Sequence, residues 1–219
     1  MTAIQGFIFD LDGVLTETSE FHYLSWRQLA DEEGLSFTRE DNEQLRGISR
    51  RESLMKLLKG KTLPEDTIQD YMYRKNAYYH QHLQTMTPDD CLPGVRELID
   101  DALANNLKIG VGSASRNALP VLEKLELVDR FNIIGDGNSV KNSKPAPDVF
   151  LWVAGGLRIA PKNIVVFEDA EAGIEAAKIA GFNTIGIGSP DIVGEADKLV
   201  PSLQGITVDK VLQFFAQQA

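Results

Sequence analysis

A single cysteine, Cys91, leaves the chain without any internal disulfide, which fits a reducing compartment such as the cytoplasm. Beside Pro93-Gly94 it reads as a small packing residue rather than a nucleophile. No stretch approaches the roughly eighteen consecutive apolar residues of a membrane span. No basic segment precedes the first apolar run, so no signal peptide is expected. Positive charge is also scarce, with 22 Lys and Arg against 32 Asp and Glu and a net charge of −10. That balance argues against nucleic acid or an anionic membrane as partner. An anionic substrate would need locally gathered positive charge, or a metal. Internal repeats and low-complexity segments are missing too. What remains is an ordinary globular composition, 43% hydrophobic and 25% charged, in 219 residues. That length suits one large domain, or a domain carrying a sizeable insertion.

Five short apolar runs read as strands: Gly6–Asp10, Lys108–Gly112, Phe131–Ile134, Ile164–Phe167 and Thr184–Ile187. Helical patterns separate the last four, as in an open parallel sheet with right-handed crossovers. Almost a hundred residues part the first run from the second, and they hold several helical patterns but no strand. The expected architecture is therefore α/β: a Rossmann-like, doubly wound parallel sheet formed by residues 1–15 and 89–219. A helical cap, residues 16–88, is inserted into it. The turn-rich TPDDCLPG, 87–94, is the expected return linker.

Polar residues gather where these strands end. GFIFDLDG, 6–13, places Asp10 and Asp12 at the mouth of a buried run, where charge is costly unless compensated. GVGSASRN, 110–117, ends a strand in small hydroxyl residues. GNSVKNSKPAPD, 137–148, carries Lys144, and VVFEDAEAG, 165–173, ends in Glu168-Asp169. Alone, Asp12-Gly13 is a common turn, Glu168-Asp169 a helix-capping pair, and Ser115 a cap. Together they lie at the edge where open parallel sheets bind ligands. If the strand order is 3-2-1-4-5, then Asp10, Asp12, Glu168 and Asp169 converge. Four converging carboxylates ask for a cation, and an all-oxygen set suits Mg²⁺. An aspartate so placed can serve as a covalent nucleophile toward phosphorus, and Asp12 can move a proton. Ser113 and neighbouring amides can cradle phosphate oxygens, which Lys144 can neutralise.

Two residues of the helical segment stand out. His22, Trp26 and Leu29 fall at i, i+4 and i+7, which puts His22 on an inward face. Lys75, on a helix expected from Pro64 to Gln84, shares a stripe with Ile68, Tyr71, Met72 and Tyr79. A lysine on such a stripe either snorkels to water or has an anionic partner.

The set DLDGV, SAS, SKP and ED resembles the haloacid dehalogenase superfamily of aspartyl-phosphate phosphotransferases. Its helical insertion is similar to that of members whose cap follows the first strand. LRGISRRESL (45–54), YRKN (73–76) and SASRN (113–117) look like the β-phosphoglucomutase family in particular. The resemblance implies Asp10 as nucleophile and Asp12 as general acid/base. One Mg²⁺ would be held by Asp10, Asp12, Glu168 and Asp169, with Ser113 and Lys144 on the transferring phosphoryl group. His22, Lys75 and Thr18 would belong to the catalytic set, the first two linking the cap to the Asp12 loop. Gly47, Ile48, Arg50, Ser115, Arg116 and Asn117, with Trp26 and Asn76, would bind the sugar and its other phosphate. Arg116 stands where members have lysine, keeping the charge, and Glu17 stands where many have aspartate.

The activity implied is interconversion of β-D-glucose 1-phosphate and glucose 6-phosphate, with glucose 1,6-bisphosphate as intermediate and activator. A monomeric cytoplasmic enzyme of small sugar phosphates is the expectation. A Mg²⁺-dependent sugar-phosphate phosphatase of similar build is the alternative, and a non-catalytic binding protein on the same fold is a third reading.

Overall fold

The computed structural model describes residues 4–45 and 47–216. Residues 1–3 and 217–219, at the outer ends of the expected core segments, lie outside the described residues, as does Arg46 of the LRGISRRESL motif. The chain opens with strand β1 (Gly6–Phe9). Four helices follow: α1 (Ser19–Glu32), α2 (Arg39–Glu43), α3 (Arg50–Leu57) and α4 (Glu65–Leu83). Then α5 (Val95–Ala104), β2 (Lys108–Gly112), α6 (Ala118–Lys124), β3 (Ile133–Gly135) and α7 (Asp148–Leu157) build one half of a sheet. The other half contains β4 (Ile164–Glu168), α8 (Glu171–Ile179), β5 (Asn183–Ile187), α9 (Pro190–Val193), β6 (Lys198–Val200) and α10 (Val208–Ala216).

All six strands are parallel in the order β3-β2-β1-β4-β5-β6. The order reverses at β1, which sits between β2 and β4. Strand pleating sends Phe7 and Phe9 to one face and Ile8 to the other. The first face forms a core with α5, α6 and α10, and Phe9 stacks on Phe167 at 4.8 Å. The second face packs against α7 and α8. Helices α1, α3 and α4 close a separate apolar cluster around Trp26, Leu29, Leu54 and Ile68. Capping boxes start α2 at Thr38/Asp41 and α3 at Ser49/Glu52. No helix among the described residues is long and apolar enough to cross a membrane.

Two details depart from the sequence pattern. The third strand begins at Ile133, because Phe131 closes a 3₁₀ turn and Asn132 meets β2 through its side chain: its Oδ1 accepts from the Ile109 amide at 2.8 Å. The sixth strand has no apolar run to announce it. Lys198–Val200 is three residues at a sheet edge, and the carboxylate of Asp197, just before it, accepts from the Thr184 amide and hydroxyl of β5.

Helix α7 approaches the sheet closely because its seat is lined by glycine. A Cβ on Gly110 would lie 2.5 Å from Val153, on Gly112 2.7 Å from Phe150, and on Gly135 2.6 Å from Val153. Gly110→Val should therefore lower the unfolding free energy by about 1–3 kcal/mol or more through overpacking. Denaturant melts of the two proteins measure this directly.

Candidate active site

The site is assembled at the carboxyl edge of the sheet, where β1 and β4 end side by side. Asp10 follows β1 directly, and its amide extends the ladder by donating to the Phe167 carbonyl at 2.9 Å. Lys144, from the loop between β3 and α7, is fully buried. Its Nζ donates to Asp10 Oδ1 at 2.5 Å and Glu168 Oε2 at 2.7 Å, and stands 4.5 Å above the Phe150 ring. Burial alone would depress this ammonium, but the two carboxylates outweigh it and raise its pKa above the lysine range. Burial and the Asp10 charge push the Glu168 carboxyl up, with Lys144 opposing them. Glu168 Oε1 also accepts the amides of Asp169 and Ala170 in the turn before α8, whose N-cap, Ala170, has no side-chain cap, so the pair does not act as a helix cap.

Asp10, Glu168 and Asp169 each offer an oxygen within 4.8 Å of the others. The donors are all hard oxygens, a set that suits Mg²⁺. Two glycines leave room for it. Gly13 has φ +83°, and a Cβ there would sit 2.0 Å from an Asp169 carboxylate oxygen. A Cβ on Gly173 would sit 2.1 Å from the Glu168 carboxyl.

Asp12 lies in the tight loop that closes when the Gly13 amide donates to the Thr16 carbonyl at 2.7 Å. Its carboxyl accepts the Thr18 hydroxyl just ahead of α1. Burial and the neighbouring Asp10 raise it to about 7, against the opposing Thr18 bond. A carboxyl so poised is present in both protonation states near neutrality.

The helical side meets this edge across a cleft of about 820 Å³, its open mouth included. Asp10, Asp12, Asp169, Ser113, Ser115, Arg116 and Asn117 line one wall; His22, Trp26, Gly47, Ile48, Arg50 and Lys75 line the other. Thr18 stands behind Asp12, and Lys144 with Glu168 behind Asp10. Asn76 of α4 accepts from the Asn117 side chain at 2.9 Å, joining the two walls. At Gly47, φ +72°, the walls nearly touch: a Cβ would lie 3.1 Å from Ala170. Hydroxyls order the sheet-side loop, with Ser113 Oγ accepting from the Ser115 amide and Ser115 Oγ from the Asn117 amide.

Lys75 differs from both expectations. It does not snorkel, being 1% exposed, and among the described residues no carboxylate lies within ion-pairing distance. Its Nζ instead meets His22 Nδ1 at 2.7 Å and two aromatic faces, Trp26 at 5.1 Å and Tyr79 at 4.9 Å. Burial, then the Arg50 charge, hold Lys75 well below the usual lysine value. Burial and Lys75 do the same to His22. Arg50, the first residue of α3, is depressed by burial and by the charge of Arg116. Neither guanidinium has an ion-pair partner among the described residues, so like charge faces like charge across the cleft.

Asn42, Ser53 and Glu17 line the cleft too, and Gly13 and Gly173 shape its floor. Gly13 lies inside DLDGV, Gly173 inside VVFEDAEAG and Ser53 inside LRGISRRESL, whereas Asn42 belongs to no motif.

Two outcomes test this geometry. Gly173→Ala should weaken Mg²⁺ binding about 10- to 100-fold by displacing Glu168, as titration calorimetry would measure. Lys75→Met should raise the unfolding free energy at pH 7 by about 1–4 kcal/mol, because it removes a buried, uncompensated amine. The sign follows from linkage: between its depressed native pKa and 10.5, Lys75 binds a proton only when unfolded, so its cost to stability grows as pH falls through that window. Urea melts at pH 7 and pH 9 should accordingly show a smaller pH dependence for the variant.

Known proteins match this arrangement. A family model described as haloacid dehalogenase-like hydrolase matches residues 7–187. The chain is 39% identical over 206 residues to a β-phosphoglucomutase of Bacillus subtilis, covering 92% of this chain and 91% of the relative. It is 30% identical over 184 residues to a phosphorylated carbohydrates phosphatase of Thermotoga maritima, covering 83% and 84%. The crystal structure of a β-phosphoglucomutase from Clostridium difficile superposes with a TM-score of 0.94 at 38% identity, covering 97% of each chain. A family model over most of the chain and a relative of 39% identity together show that the chain belongs to the haloacid dehalogenase-like hydrolase family.

Proposed function

We propose that the chain interconverts β-D-glucose 1-phosphate and glucose 6-phosphate by way of an aspartyl phosphate on Asp10 and β-glucose 1,6-bisphosphate. The observation that carries this reading is the pairing of Arg50 with Arg116. Two guanidiniums without carboxylate partners among the described residues would make a second anion site in the cleft that Asp10 also lines. A mutase needs such a site, because it must hold whichever phosphate is not reacting in both orientations of the bisphosphate. A simple phosphatase of monophosphates does not. The 39% identity to the B. subtilis mutase supports the same choice.

In this reading Asp10 attacks phosphorus through its carboxylate, and the bond from phosphorus to the sugar oxygen breaks. Asp12, protonated in part near neutrality, gives its proton to that departing oxygen. On the return step it takes a proton from the incoming hydroxyl. Lys144 neutralises charge on the phosphoryl oxygens, and the Ser113 hydroxyl with its neighbouring amides orients them. Mg²⁺, held by Asp10, Glu168, Asp169 and the Asp12 carbonyl, would supply further charge neutralisation when bound. Ser115, Asn117, Gly47, Ile48, Trp26 and Asn76 hold the hexose between the walls. His22 and Lys75, behind Asp12, tie α1 and α4 to the acid/base, while the helical side keeps out the water that would hydrolyse the aspartyl phosphate. The expected state is a cytoplasmic monomer.

A second reading, phosphatase action on a small sugar phosphate, draws on the 30% identity to the T. maritima phosphatase. One assay separates the two: protein, Mg²⁺, β-glucose 1-phosphate and a trace of glucose 1,6-bisphosphate. Glucose 6-phosphate without inorganic phosphate is the expected product; glucose and inorganic phosphate would overturn the mutase reading. Arg50→Ala adds a second test. Truncating one partner of a desolvated charge pair costs about 2–5 kcal/mol, so mutase turnover should fall roughly thirty- to several-thousand-fold. Phosphorylation of Asp10 by acetyl phosphate, a donor with no distal phosphate, should change little. Loss of both activities would make Arg50 a structural residue.

A further inference from the structure

Tyr79 stands on α4, one turn past Lys75, and is completely buried. The His22 ring lies 4.5 Å from its own, Lys75 Nζ lies 4.9 Å above its face, and Phe21 meets its edge at 6.4 Å. Among the described residues its hydroxyl has no hydrogen-bond partner. A dry phenol oxygen is costly, and phenylalanine would fill the same space without that cost.

Besides burial, the Asp12 carboxylate, then the Thr18 hydroxyl and the Arg50 guanidinium, act on this phenol. Burial and the Asp12 charge push the phenol well above its usual range, with Thr18 opposing, so Tyr79 remains a proton donor throughout neutral pH. Thr18 gives its one hydroxyl proton to Asp12 Oδ1, and no described donor serves its lone pairs. A donor without an acceptor thus lies beside an acceptor without a donor, and the acceptor is already bonded to the carboxyl that moves protons.

We propose that Tyr79 is a positioning residue for Asp12: it donates to Thr18 Oγ1 when Asp12 is set for proton transfer. The chain of donors Tyr79 to Thr18 to Asp12 then fixes the carboxyl opposite the sugar oxygen. Each link polarises the next, so the outer bond strengthens the inner one. The inference rests on the reading of Asp12 as acid/base, and it does not require the second anion site.

The test uses four full-length proteins: wild type, Tyr79→Phe, Thr18→Val and the double variant. Tyr79→Phe should lower kcat with β-glucose 1-phosphate about tenfold, a modest share of what a hydrogen bond to a charged group is worth. KM should stay within about twofold, because the contact matters only where Asp12 acts. Phosphorylation of Asp10 by acetyl phosphate, whose leaving group needs no proton, should be unchanged. The melting temperature should hold or rise, since the variant removes an unsatisfied buried hydroxyl. In the Thr18→Val background, Tyr79→Phe should have no further effect. Unchanged kcat in Tyr79→Phe, equal slowing of both reactions, or losses that multiply in the double variant would each overturn the proposal. Should wild type release inorganic phosphate instead of glucose 6-phosphate, the mutase reading fails alone. Hydrolysis of the sugar phosphate still needs a proton on the departing oxygen, and the same four proteins decide the role of Tyr79.

Discussion

The buried ammonium of Lys144 between Asp10 and Glu168 is the contact on which the rest of the site depends. Each of these charges, taken out of water alone, would cost several kcal/mol. They are tolerable only together, and only if three distant segments deliver them to one point. The sheet does this by placing β1 between β2 and β4, so that the end of β1, the end of β4 and the loop after β3 share one edge. Asp169 brings a third carboxylate to the same point, an all-oxygen set of the kind that suits a divalent cation.

The cleft lining carries charge of both signs. Carboxylates gather near Lys144, while Arg50 and Arg116 have no carboxylate partners among the described residues. Lys75 and His22 line the cleft as well, both held toward neutrality by burial and by nearby cations. Two like charges and a desolvated amine cost this sequence stability, a cost that a bound anion would relieve. Stability forgone here is consistent with a surface kept for binding rather than for folding.

Much of this was legible in the sequence. Five of the strands carried apolar runs, and polar residues collected at the ends of four of them, which is why the carboxyl edge could be read as a site. Convergence of Asp10 with Glu168 was expected only for a strand order of 3-2-1-4-5, and the sheet has that order. The sixth strand was not legible, because Lys198–Val200 takes its place through Asp197 and Thr184 rather than through its own pattern. Lys75 was legible as an anomaly but not in its resolution. A stripe shows that a lysine faces inward; it cannot show that aromatic faces and an imidazole, not a carboxylate, await it. Asn42 reaches the cleft by the way α2 packs, and no local spacing records that.

Helix α4 belongs to two apolar clusters at once. Its Ile68 and Tyr71 pack with α1 and α3, while Tyr79 and Leu83 belong to the core beneath the sheet. From Tyr79 to Ile68 the helix rises about 16 Å at 1.5 Å per residue. It is therefore a stiff lever with its short arm clamped in the core and its long arm in the helical cluster. A tilt of about 20° at the clamped end would carry the far end about 5–6 Å. No hydrogen bond within the helix need break for the cleft to change its width by that amount. Whatever presses on the short arm, where Tyr79 meets His22 and the Asp12 loop, is amplified at the far end of the helix.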